Sequence, residues 1–379
     1  MNLGEKLSDF WRRFQGDLFP ALSEEVGPLL GTHRRFVAAL DLVGVEGFVG
    51  VQGSGPGRPP EDRRALARAF LAKAVWDLPT TRHLIDRLGA DPAFRRLCGW
   101  SRVGDIPSEA TFSRAFAEFS ASRLAERMHE ALVVDVLGEA LIGHVSRDST
   151  AIEGREAAAA KPKVDVPKRR PGRPRKGEER PKALSRLERQ ANGMSLNAML
   201  DDLPKLCDRG TKRNARGMLE TWRGYKLHID TADCGVPISA ILTSASVHDS
   251  QAAIPLATMT AGRVVNLYDL MDAAYDAREI HEVSKRLGHI PLIDTNPRRD
   301  KALKQARNRE ARARRAAGYP DARSVRYRIR TTVERTNARL KDEFGARHVR
   351  VRGPTKVACH LMFGLLALAA DQMIRLAAP

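Results

Sequence analysis

Apolar residues recur every three or four positions through Asp62–Val75 (DRRALARAFLAKAV) and Thr111–Phe119 (TFSRAFAEF), which predicts amphipathic helices with one buried stripe. Ser108, just after Pro107, is an N-cap candidate for the second, and Pro79–Leu88 (PTTRHLIDRL) reads as another helix of a helix-turn-helix-like group. Residues 1–135 read as helical throughout. From Leu141 the period changes. LIGHVSRDST reads as a strand running into polar residues, and Tyr225–Thr231 (YKLHIDT) alternates cleanly. Val236–Ser246 follows as its hairpin partner through the turn signal Asp233-Cys234-Gly235. Val264–Met271 and Ile290–Asp294 are shorter, more buried strands, with helical segments between and after them. Three strands in a row, then alternation, predict an α/β fold with a mixed sheet covered by helices over residues 136–379. A basic insertion at 156–222 separates the first strand from the second. Leu361–Ala370 (LMFGLLALAA) is too short to span a bilayer and reads as a buried terminal helix ended by Asp371.

One further helix carries an unusual polar face. In YRIRTTVERTNARLK, Tyr327, Arg330, Glu334 and Lys341 are spaced three, four and seven residues apart. On one continuous helix they point within an arc of about 60°. Ile329, Val333, Leu340 and Phe344 fall on the opposite, apolar side. Glu334 is the one acid between Tyr327 and Lys341.

Charge narrows the partner. The chain of 379 residues carries a net charge of +18, and three runs hold all of it. Residues 161–182 have ten Lys/Arg against three acids, residues 298–317 nine against two, and residues 335–352 six against two. Positive charge concentrated in this way suits the phosphate backbone of double-stranded DNA. PGRPRKG (Pro171–Gly177) matches an AT-hook core, in which Arg173 and Arg175 would lie in a narrow minor groove, and GPGRPP at Gly55–Pro60 is a shorter echo. Four widely spaced cysteines exclude a zinc ribbon and a disulfide framework, and the polar first fifteen residues carry no signal peptide, so a cytoplasmic protein is expected. Neither HExxH nor GxxxxGK[ST] is present, which argues against a zinc hydrolase and against ATP use.

Glu334 has two candidate partners at strand ends: Asp148 in SRDST and Asp272 in LMDAAYDA. Three carboxylates in one site repel unless a cation compensates, and the hard ion for such a set is Mg²⁺, with Mn²⁺ able to substitute. Asp276 and Asp269 compete for the second position, and Asp249 in VHDS is a fourth acid expected to support the site rather than ligate metal.

The spacing Y-x2-R-x3-E-x6-K resembles the signature of a group of bacterial insertion-sequence transposases of the DDE type, matched by Tyr327, Arg330, Glu334 and Lys341. Asp148 and Asp272 look like the first two acids of that triad, and Trp222–Ser250 resembles the segment between them. The resemblance covers roughly residues 141–370. It implies a ribonuclease H-like catalytic domain at 136–379 behind a helical DNA-binding domain at 1–135. It also implies metal-dependent cleavage and transfer of DNA strands at terminal inverted repeats, by a homodimer assembled on DNA. Tyr327, Arg330 and Lys341 would then hold DNA near the scissile phosphate. A DNA nuclease without strand transfer and a catalytically inactive DNA-binding regulator are the alternatives. The long insertion after the first strand, and the modest basic gap at Thr295–Arg326, depart from relatives whose main insertion precedes the glutamate helix.

Overall fold

The computed structural model describes residues 18–50, 61–160, 183–213, 217–298, 300–318 and 321–377. Within them, the helical periodicity ahead of Leu141 forms α1 (Phe19–Val26), α2 (Gly31–Val43), α3 (Arg63–Val75), α4 (Thr81–Ala90), α5 (Pro92–Cys98), α6 (Glu109–Ala121) and α7 (Leu124–Leu137). Short polar side chains start several of them by accepting a free first-turn amide. Asp62 accepts from Arg64, Thr80 from His83 and Asp91 from Phe94. Ser108 does precede α6, but its hydroxyl meets that of Thr111 (3.2 Å) instead of a backbone amide.

The alternating segments form one six-stranded mixed sheet: β1 (Leu141–Glu153), β2 (Asp208–Arg213), β3 (Leu219–Ala232), β4 (Pro237–Ser244), β5 (Val265–Met271) and β6 (Ile290–Ile293). The order is β2-β3-β1-β5-β6, with β4 also paired to β3. β3 runs antiparallel to β1, β2 and β4, whereas β5 is parallel to β1 and to β6. Gly235 (φ +85°) closes the β3–β4 turn, its amide donating to the Ala232 carbonyl. Residues 156–222, expected as an insertion, also supply sheet: β2 and the start of β3 lie inside them, with the short helices α8 (Arg186–Ala191) and α9 (Leu196–Asp202).

The remaining helices are α10 (Ser250–Ala261), α11 (Arg278–Arg286), α12 (Lys301–Ala317), α13 (Ala322–Arg328), α14 (Thr331–Glu343) and α15 (Pro354–Ala377). α8 to α11 cover one side of the sheet, with Met271, Tyr275, Ile254 and Ile280 in a shared cluster. α14 packs on β1 and β3, and α15 packs on α2, α3, α6 and α7. One core therefore joins the N-terminal helices, α15 and the sheet, with Phe363 against Phe70 at a ring separation of 6.0 Å. By length and composition α15 could cross a bilayer, but here it is buried in protein. It also runs on through Asp371, where the sequence suggested a stop. Arg339 (2.5 Å), Arg375 (2.7 Å) and Arg35 (3.4 Å) neutralise that buried carboxylate.

Candidate functional site

Parallel pairing of β1 with β5 sets Ser146 opposite Leu270. Continuing that register by two residues puts Asp148 beside Asp272, on chains about 4.8 Å apart. Asp272 starts a short turn of 3₁₀ helix by accepting the Ala274 amide (2.9 Å). Burial pushes Asp148 up to about 6, aided by the negative charges of Asp272 and Asp249 and opposed by the Ser149 amide and Arg330. Burial raises Asp272 too, with Asp249 and Asp294 adding to it. Two neighbouring carboxylates that resist ionising together are a site short of positive charge.

The other face of this site comes from α14. The continuous helix expected from Tyr327 to Lys341 is broken: α13 ends at Arg328 and α14 begins at Thr331. Tight bonds from Ile329 to Arg326 and from Arg330 to Tyr327 make the junction, and the Ser146 hydroxyl of β1 donates to the Ile329 carbonyl (3.3 Å). Tyr327 and Arg330 thus sit on the lead-in, with the guanidinium 5.7 Å from the phenol ring centre. Val333, Leu340 and Phe344 are buried as the apolar pattern requires. Arg330 donates to Glu334 (2.6 Å). Burial opposes the charge on Arg330, yet Tyr327, Glu334 and Asp148 together hold its pKa above the usual value. Glu334 itself is exposed and turned onto Arg330. Asn337, one helical turn further on, reaches Asp148 instead (Nδ2 to Oδ2, 3.3 Å), and its own Oδ1 is buried without a partner.

The site thus brings Asp148, Asp272, Arg330 and Asn337 together, with Glu334 bound to Arg330. Among the described residues no three His, Cys, Asp or Glu side chains already converge as a metal cage. Lys341 lies toward the far end of α14, where burial lowers its pKa and Lys212 and Arg347 reinforce the shift. Arg173 and Arg175, with both Gly-Arg-Pro motifs, fall outside the described residues. Asn337 and Ser146 were not singled out from the sequence. Only the one-turn spacing from Glu334, and the parity with Asp148 along β1, could have marked them.

The competing acids are held by other partners. Asp249 lies on the opposite face of β1, where Ser149 (2.9 Å) and Lys226 (2.9 Å) bind it. Burial works against its charge, but His228 and Lys226 hold it below the usual carboxylate range. Asp276 accepts from the Asn296 amide (2.8 Å) and contacts His281 (3.1 Å), tying the segment after β6 to the segment after β5. Asp269 is buried against Ser284, His289 and Asn266.

Against known families, residues 205–370 match the model described as Transposase DDE domain, and residues 33–118 match Transposase domain (DUF772). Residues 205–370 and 33–118 are thus similar to transposase domains. Together the two matches support a DDE transposase of an insertion sequence, a type of enzyme that acts on DNA. The matched DDE segment includes Asp272 and all of α13 and α14, whereas Asp148 on β1 lies in neither match. No curated protein and no solved structure matches the chain.

The raised Asp148 makes a stability prediction. A carboxyl with a folded pKa near 6 and an unfolded one near 4 costs stability increasingly as pH rises through that window. Asp148→Asn should therefore stabilise metal-free protein at pH 7.5 by about 1–2 kcal/mol, solvent screening included, and the gain should vanish by about pH 4. Thermal melts across pH check this.

Proposed function

We propose that the protein cleaves and joins DNA strands at the ends of its own element, using a divalent metal held by Asp148, Asp272 and Glu334 on a ribonuclease H-like sheet. The observation that supports this reading is the parallel β1–β5 pairing up to Ser146 opposite Leu270, two residues short of both acids, together with the negative charge of Asp272 that helps raise Asp148. The strand order β4-β3-β1-β5-β6, antiparallel on one side of β1 and parallel on the other, supports the ribonuclease H-like assignment. The donor set fits a hard cation: all donors are oxygens, the two neighbouring acids resist ionisation for want of positive charge, and the Asn337 Oδ1 is unpartnered. When bound, Mg²⁺ or Mn²⁺ supplies charge neutralisation and polarises the phosphoryl group. Asn337 orients Asp148 by its hydrogen bond. Arg330, released when Glu334 turns toward the acids, is free to grip a phosphate, with Tyr327 packed against its guanidinium. Lys341 holds backbone further along the same helix. The N-terminal helices and the Arg173/Arg175 motif serve DNA binding, and two copies pair the two ends, in the bacterial cytoplasm and at the nucleoid.

The test incubates purified protein with labelled DNA spanning the gene's native flanks, with Mg²⁺, Mn²⁺ or EDTA, and maps products to the nucleotide. Expected are metal-dependent cuts at fixed positions in both flanks, with 3′ ends joined to a second DNA. Cuts without joining would assign a nuclease. DNA bound but uncut with either metal would assign a regulator.

A further inference from the structure

A cavity of about 760 Å³ opens beyond the C-terminal end of α14, between α3, the start of α4 and the segment that leads into α15. Lys73, Arg82, Arg155, Arg350, Arg352 and Lys356 line it, against a single carboxylate, Glu109. Among the described residues none of these six cations is in an ion pair. That sets them apart from neighbours such as Arg339 and Arg347, which are paired with Glu343 and Asp342. Unpaired cations crowded around one concavity repel one another, so the fold bears a cost there that an anion relieves.

The cleft is also held in shape. Glu156 accepts from the Gly353 amide (2.9 Å) and from the Tyr225 hydroxyl, and Arg155 donates to the Arg350 carbonyl (3.3 Å). These bonds fix the Arg350–Arg352 rim to the end of β1 and to β3. Phe70, Phe116 and Phe363 form an apolar floor, which strengthens electrostatic attraction above it. Burial pushes Lys73 down to about 8, and Asp77 is the one charge that works against the shift. Lys341 of α14 lies near Lys212 and Arg347 and adds positive charge on that helix. Lys341 lies seven residues along α14 from Glu334, about 10 Å at the helical rise, or about three nucleotides of duplex backbone.

We propose that this cleft seats the phosphodiester backbone of the DNA segment leading into the carboxylate site, as a second phosphate-binding site outside the reacting centre. Identifying the anion as DNA rests on the transposase reading. The preference for a chain of phosphates comes from the charge of the lining, six cations against one carboxylate, which is more than one small anion neutralises.

The experiment compares full-length wild type with the triple variant Arg82→Gln/Arg350→Gln/Arg352→Gln, measuring Kd for duplex DNA from about 50 to 300 mM KCl without divalent metal. Three lost phosphate contacts should flatten the slope of log K against log salt by about 2–3 and weaken binding about 10- to 100-fold at 100 mM. The circular dichroism spectrum should stay as in wild type, and the melting temperature should be equal or higher, because repulsion in the cleft is relieved. A control variant, Arg309→Gln/Arg312→Gln/Arg315→Gln, removes charge from exposed α12. A cleft variant with wild-type slope and affinity overturns the proposal, whatever the α12 variant does. Flank and scrambled duplexes run in parallel: equal losses assign the cleft to DNA in general, and a loss confined to the flank assigns it to the element's ends. Cleavage is scored separately. Wild type that never cuts, with the slope difference intact, counts against strand transfer and not against the cleft.

Discussion

Glu334→Gln is expected to lower metal-dependent cleavage of the flanking DNA by about 10³-fold or more, while Kd for the same DNA stays within about threefold. The substitution keeps the shape of the side chain and removes its charge. In the metal-free protein that charge meets only Arg330, at 2.6 Å on an exposed surface, a pair worth about 0–1 kcal/mol. Stability should therefore hardly change, and the liberated Arg330 offsets any lost order in DNA binding. Asp148→Asn and Asp272→Asn should match it in cleavage, and both should remove the stabilisation that Mg²⁺ gives wild type in thermal melts. Asp276→Asn provides the contrast. Its carboxylate already spans the Asn296 amide and His281, so its loss should loosen the segment after β6 and cost about 1–2 kcal/mol, with cleavage retained at reduced rate. A dead Asp276→Asn beside an active Asp272→Asn would reverse the assignment of the second acid. Glu334→Gln cutting at the wild-type rate would remove α14 from the chemistry.

The parts of this site that were legible in the sequence are those that local periodicity controls. Local pattern located β1, β3, β4, β5 and β6, and Asp272 follows from where β5 stops; Asp148, expected to close β1, instead lies inside it, because pairing with β3 carries β1 on to Glu153. The apolar side of α14 was legible for the same reason. β2 was not, because its sequence DRGTKR carries no apolar alternation and becomes a strand only by pairing with the first half of β3. The break before α14 was also hidden, since nothing in RIRTT prohibits a helix. A tertiary bond accompanies it: Ser146, a distant residue, donates to the Ile329 carbonyl, which also accepts the Thr332 amide. Asn337 was missed because an asparagine on a helix face is ordinary until Asp148 is known to lie beneath it. The continuous core through α15 was invisible too, because contacts such as Phe70–Phe363 join residues nearly three hundred positions apart.

Asp230→Ala is expected to produce the largest loss of stability, about 3–5 kcal/mol, read as a fall in the thermal or denaturant midpoint. On the face of β1 opposite Asp148, Arg147 is fully buried and bound by both oxygens of Asp230, at 2.7 and 2.6 Å. Burial opposes a charge there, but Asp230 and Asp269 hold the guanidinium above its usual pKa. Thr260 donates to the same Asp230 oxygen that meets Arg147 Nη2 (2.7 Å), so the pair is part of a satisfied network. Removing the carboxylate strands a buried cation, and no other acid replaces both of its bonds. The double replacement Arg147→Met/Asp230→Leu removes the charge with its partner and should recover most of the loss. That contrast separates an unpaired charge from a cavity: if the double variant is as unstable as Asp230→Ala, packing rather than charge is responsible. Position links this pair to the chemistry. Arg147 adjoins Asp148 in β1, and its other nitrogen contacts the sulfur of Met271 (3.4 Å), which adjoins Asp272 in β5. Arg147, anchored by Asp230 of β3, therefore ties β1 to β5 next to the two acids. Below its melting temperature Asp230→Ala should bind DNA normally and cut it more slowly, because the spacing of Asp148 and Asp272 is set from beneath.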